Sequence, residues 1–179
     1  MKWACLILVA LPFSSLADKP LVSRPAIMAA EKNFESHIGK LWPDDPVAFW
    51  VYPQGLYING FGAVFSAQVN LAQGTAITPF HQSVTKEEIV RLHNKKLERM
   101  AQFRQAMEEI MLSYAASLDT IPADEQIALG VSFFYWNWED TTGLPQQLVM
   151  RAPKRALVMA KSGQMDHAKL TASMSVQEF

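Results

Sequence analysis

Glu139 and Asp140 are the carboxylates best placed for chemistry in this chain. They follow directly on Phe133-Phe134-Tyr135-Trp136-Asn137-Trp138, its most aromatic run. Acidic groups at the rim of an aromatic surface could serve as general acid and base. With His81 in the same cleft they could activate a water for hydrolysis. Tyr135, Trp136 and Trp138 could instead wall a pocket for a sugar, lipid or peptide. The competing reading is structural. Aromatic side chains dominate ordinary cores, and adjacent carboxylates do not point at a common centre on a strand or helix. A metal site is not expected. Glu35 and His37 are two apart and share no helix face, so they read as a surface helix end. His93 reads as a partly buried side chain on a helix, and His167 as solvated. No Gly-x-Ser-x-Gly, His-Glu-x-x-His or Gly-x-x-x-x-Gly-Lys motif occurs, so nothing implies a cofactor.

Which elements would position these groups follows from periodicity. Ser23 and Pro25 read as N-cap and first-turn proline of a helix ending near Gly39. Val47 to Tyr52 reads as a strand, Pro53-Gln54-Gly55 as a turn, and Leu56 to Ile58 as resumed extension. Asn59-Gly60 is hairpin chemistry. Ala63 to Leu71 alternates apolar and polar, as a half-buried strand should. Thr85 and Glu88 form a capping box. An apolar stripe from Ile89 to Leu118 then predicts a long amphipathic helix, with Lys95, Glu98, Arg99 and Gln102 on its solvated side. A straight helix of that length would reach about 50 Å. A compact domain is roughly 40 Å across, so the helix must curve, break or project. A projecting Met-rich face would suit a homodimer or another protein partner.

Gln126 to Trp138 reads as a long strand and Gln147 to Arg151 as its return. Ala128, Gly130 and Ser132 read as close-approach positions under a helix. Pro153 opens a short helix to about Lys161. Leu170, Ala172, Met174 and Val176 alternate with polar residues, which predicts a final strand. The expected fold is α+β with two layers: an antiparallel sheet built from hairpins, with the long helix on one face.

The chain has 179 residues, half of them apolar. Sixteen basic and 17 acidic residues give a net charge of −1. No basic block stands out, so no nucleic-acid surface is expected. The opening Met1-Lys2-Trp3, the apolar run to Phe13 and the small Ser15 and Ala17 match a signal peptide cut after Ala17. The remainder, residues 18–179, is expected to be one exported domain, periplasmic or extracellular, with no membrane span. Cys5, the one cysteine, would leave with the leader. The mature chain would then have neither disulfides nor thiol chemistry.

Three stretches carry a resemblance. They are Gly60-Phe61-Gly62-Ala63-Val64-Phe65 with Val69-Asn70-Leu71, then Thr85-Lys86-Glu87-Glu88-Ile89, and Leu129-Gly130-Val131 running on to Trp138-Glu139-Asp140. Over about residues 60–140 the chain resembles a family of uncharacterised exported bacterial proteins. The resemblance implies export and a single domain. It implies no activity, ligand or site residue. The reading that results is a non-enzymatic binding or assembly domain of the cell envelope. A carboxylate/histidine hydrolase and a small-ligand binder with an aromatic pocket are the alternatives.

Overall fold

A computed structural model describes residues 22–74 and 83–179. The expected leader and His81 lie outside those residues. The described elements run α1 (Arg24–Gly39), β1 (Ala48–Ile58), β2 (Gly62–Asn70), α2 (Lys86–Ser117), β3 (Gln126–Phe133), β4 (Gln147–Pro153), α3 (Lys154–Lys161), α4 (His167–Ser173) and β5 (Ser175–Glu178). The class is α+β. The five strands form one sheet in the order β1-β2-β3-β4-β5.

The sheet is mixed, which corrects the antiparallel expectation. β1–β2, β3–β4 and β4–β5 are antiparallel, while β2 and β3 run parallel from Gly62↔Gln126 to Val69↔Phe133. The reason is the length of α2. Its 32 residues span about 48 Å and return the chain to the end of the sheet where β2 began. β3 therefore sets off beside Gly62. There Gly62 takes φ 128°, and a Cβ would collide with the Gln126 backbone.

α2 is a single uninterrupted helix, and its expected capping box is present. Thr85 Oγ1 accepts from Glu88 N at 3.2 Å, and Glu88 Oε2 accepts from Thr85 N at 2.9 Å. The helix does not project with its methionines outward. Met100, Met107 and Met111 are buried in the same cluster as Phe34, Phe65, Phe103 and Tyr114. Tyr114 reaches α1, donating from its hydroxyl to Ala30 O at 2.8 Å.

β1 differs from the sequence reading by continuing through Pro53. Register shifts between Phe49 and Val51, and between Val51 and Gln54, absorb the proline. A bulge bends a strand and re-aims its side chains, and Trp50, Val51 and Tyr52 are all exposed here. As an edge strand, β1 would normally offer free backbone groups to another chain. α1 occupies the middle of that edge. Glu31 Oε1 accepts from Gly55 N at 2.8 Å, and Arg24 donates to Gly55 O at 3.1 Å.

Two further expectations fail. Residues 167–173 form α4 rather than a strand, because Asp166 caps that turn by accepting from Lys169 N at 2.8 Å. Only the short β5 follows. Gly130 and Ser132, expected under a helix, are only part-buried, whereas Ala128 is buried. The buried face of β3 is Ile127, Leu129, Val131 and Phe133. A Cβ on Gly130 would meet nothing closer than Phe65 O at 4.0 Å. No described helix is long and apolar enough to cross a membrane.

Candidate functional site

β3 ends at Phe133, so the aromatic run from Phe134 belongs to a connection between β3 and β4. It does not present its rings to one pocket. Phe134 N donates to Val69 O at 2.7 Å, which extends the ladder by one residue and puts the Phe134 ring on the face opposite Phe133. There it meets Trp50 of β1. The two rings stack with centroids 4.1 Å apart and planes 22° apart. Trp136 stands edge-on to both, 4.9 Å from Phe134 and 5.7 Å from Trp50. Offset stacks and T-shaped contacts at these separations are the arrangements the ring quadrupoles favour. The cluster nonetheless faces solvent: Trp50 is 50% exposed and Trp136 42%.

Tyr135 and Trp138 go elsewhere. Tyr135 donates from its hydroxyl to Pro145 O at 2.8 Å, and its ring lies 4.8 Å from Lys96 Nζ. Burial, then the nearby Glu139 charge, pushes its phenol well above the usual range. Trp138 packs where a Cβ on Gly74 would meet its indole, beside Leu92. Of the three aromatic candidates, only Trp136 joins the exposed cluster. Its ring partners Trp50 and Phe134 come from separate elements. The solvent-facing phase of Trp50 depends on the β1 bulge, which periodicity alone does not reveal.

The acidic candidates are engaged too. Glu139 is buried: Lys96 of α2 donates to its Oε2, and the two side chains are 1% and 2% exposed. Its other oxygen, Oε1, accepts from Trp136 N at 3.1 Å. Burial pulls the Lys96 ammonium below its ordinary value, and the Glu139 charge offsets part of that pull. Asp140 is exposed and folds its side chain back, accepting from Thr142 N at 2.9 Å. That N–H holds its carboxyl below the usual range. His93 Nδ1 lies 2.9 Å from Asp140 O, so Nδ1 carries the proton. Glu139 and Asp140 thus shape the connection and share no cleft.

Arg99, expected on the solvated side of α2, is buried at 7% exposure. Arg99 donates to Leu71 O at 2.5 Å and pairs with Asp45 at 2.6 Å, with its guanidinium 4.4 Å from the Trp42 ring. Lys96 and Arg99 lie three residues apart, one turn along the helix. Lys96 holds the segment after β3, and Arg99 holds the segment after β2. Both segments leave the carboxyl ends of the two parallel strands. α2 therefore fixes the connection that carries Trp136.

Two hollows bear on the site. The larger, about 750 Å³, is bounded among the described residues by one face of α2 alone, including Val90, Arg91 and Asn94. The smaller, about 210 Å³, lies on the sheet between Ser66, Gly130, Ser132, Gln147 and Val149. It shares its face with the aromatic cluster. Among the described residues no group of three His, Cys, Asp or Glu side chains gathers to hold a metal. His37 instead lies 3.5 Å from Glu109. Family models, characterised proteins and solved structures contain no match to this chain.

Proposed function

We propose that this protein is an exported, single-domain binding protein of the bacterial envelope, and that the Trp50–Phe134–Trp136 cluster is its working surface. We also infer a two-layer build, with helices packed on one side of the sheet and the opposite side left as the binding face. The reading rests on one observation. Trp50 of β1 converges on solvent with Phe134 and Trp136 of the β3–β4 connection, outside the buried core. Exposed aromatic clusters of this kind carry most of the energy where proteins bind partners or ligands. The leader-like opening segment supports export.

The hydrolase reading draws less support. Glu139 is committed to Lys96 and to the Trp136 backbone, and Asp140 to Thr142. A general acid or base must reach a substrate proton, and the Glu139 carboxylate is enclosed. A homodimer or protein partner through the long helix is less favoured for a parallel reason, since the methionine stripe of α2 lies in the core.

The test is a photoreactive phenylalanine analogue in place of Trp136, introduced into cells that export the protein. Irradiation should yield a defined adduct with an envelope component, and the same probe at exposed Met28 should not. Equal labelling from both positions would contradict the assignment.

A further inference from the structure

Which ligand suits the face depends on what surrounds the aromatic cluster. Side chains two apart on a strand lie on one face, about 6.7 Å from each other. The Phe134 ring is therefore next to Ser132, and Ser132 accepts from Gln147 Nε2 at 3.4 Å. Ser66, Gln68 and Gly130 continue that floor, and Gln177 pairs with Val149 at its far side. Beside the cluster the outward positions Gln54, Ser66, Gln68, Ser132 and Gln147 are neutral amides and hydroxyls, while Leu56, Ile58 and Val64 form an aliphatic end to the same face. Arg151 is the one charged side chain among the described outward positions of β1 to β5. The chain as a whole is 18% charged, so this face is depleted of charge.

We propose that the face takes a neutral saccharide chain; this rests on the binding reading above and names its ligand class. A pyranose ring presents a C–H face that packs on an indole, and that face is attracted to the negative π surface. Its equatorial hydroxyls need donors and acceptors at the ring edge, which amides and hydroxyls supply without the desolvation cost of an ion. Trp136 and Trp50 provide the stacking surface, and Ser132, Gln147 and Gln68 the hydrogen bonds. Among the described outward strand positions an anionic ligand would find only Arg151 as a cation. A protein partner would prefer an apolar centre with a polar rim. Here the polar residues are central, with the aromatics at one end and Leu56 and Ile58 at the other.

The experiment is affinity electrophoresis of the full protein through gels containing hydroxyethylcellulose, laminarin or glycol chitin, with alginate as the anionic comparison. We expect retardation by at least one neutral polymer. Trp136→Ala should weaken it about tenfold, Gln147→Ala should weaken it severalfold, and Trp50→Phe should keep most of it. Melting curves of each variant close to the parent would exclude unfolding as the cause. Retardation by alginate alone would overturn the neutral-saccharide assignment. So would the absence of any retardation combined with a protein adduct from the probe at position 136, although the binding face would then stand. No retardation and no adduct would remove both readings.

Discussion

Glu139 accepts the backbone N–H of Trp136 at 3.1 Å, and with its other oxygen holds Lys96 of the long helix. One enclosed carboxylate thus ties the exposed tryptophan to the rigid body of the protein. A binding surface on a connection loses affinity when the connection must be ordered on contact. The buried pair is a positioning device, and its removal should be felt at the surface.

Breaking this pair from one side leaves an uncompensated buried charge, which typically costs about 3–5 kcal/mol. Lys96→Met should destabilise by that order in urea unfolding at neutral pH, and Trp136 emission should shift as its support loosens. Adding Glu139→Gln in the same chain keeps an acceptor for Trp136 N and removes the stranded charge. The double variant should recover most of the loss. A double variant no more stable than Lys96→Met would show that the pair does not act as a unit.

Gly55 sits where α1 crosses the edge of β1. A Cβ there would overlap the Phe65 ring and lie 2.8 Å from Ile27 Cγ2. Both neighbours are buried and cannot retreat. Gly55→Ala should cost about 1–3 kcal/mol by overpacking. It should also loosen the Arg24 and Glu31 contacts that occupy the strand edge, so we expect more self-association by light scattering on mild heating.

Alkaline pH should destabilise the fold through its phenols, Tyr114 and Tyr135 most, with Tyr57 shifted the same way. Burial raises both Tyr114 and Tyr135 above the ordinary value of 10.0. Below pH 10 their contribution is complete. Above it the unfolded chain releases protons that the folded chain retains, so stability falls as pH rises. Lys96 and Lys154 are shifted downward and act in the opposite direction, but only below their ordinary value of 10.5. The net fall should therefore be steepest above pH 10.5. Tyr114→Phe should make that limb shallower in thermal melts, and an unchanged slope would refute this origin.

Acid should act partly through Asp45. Burial alone would raise its carboxyl, but the Lys95 and Arg99 contacts outweigh it and hold the group below 3.8. Its contribution is present above pH 3.8 and is lost as pH falls through the folded value. Asp45→Asn should cost about 1 kcal/mol at pH 7. The gap from the parent protein should narrow as pH falls below 3.8.

Local chemistry made several elements legible in advance. The Thr85–Glu88 box, the Ser23 cap, the Asn59-Gly60 turn and the alternation in β2 each act within a few residues, and each appears. Long-range pairing was less accessible. Nothing local to Gln126 says that α2 has already carried the chain back to the start of β2, so the parallel pairing was missed. The site divides in the same way. The Phe133–Trp138 run stands out by composition, but the strand ends within it, and Tyr135 and Trp136 then part company. Trp50 joins through a bulge, Arg99 looks like a solvated helix residue until the segment it holds is in place, and nothing local singles out Lys96.

The central claim is that Trp50 and Trp136 form the working surface, and the chain supplies its own controls. Trp42 donates from its indole to Gln102 at 2.8 Å, and Trp138 packs beside Gly74 and Leu92. Indole N–H resonances of the labelled protein, titrated with solubilised envelope glycan, report on each ring separately. The account predicts that the Trp50 and Trp136 signals move together while those of Trp42 and Trp138 stay in place. Movement confined to Trp42 or Trp138 would contradict it.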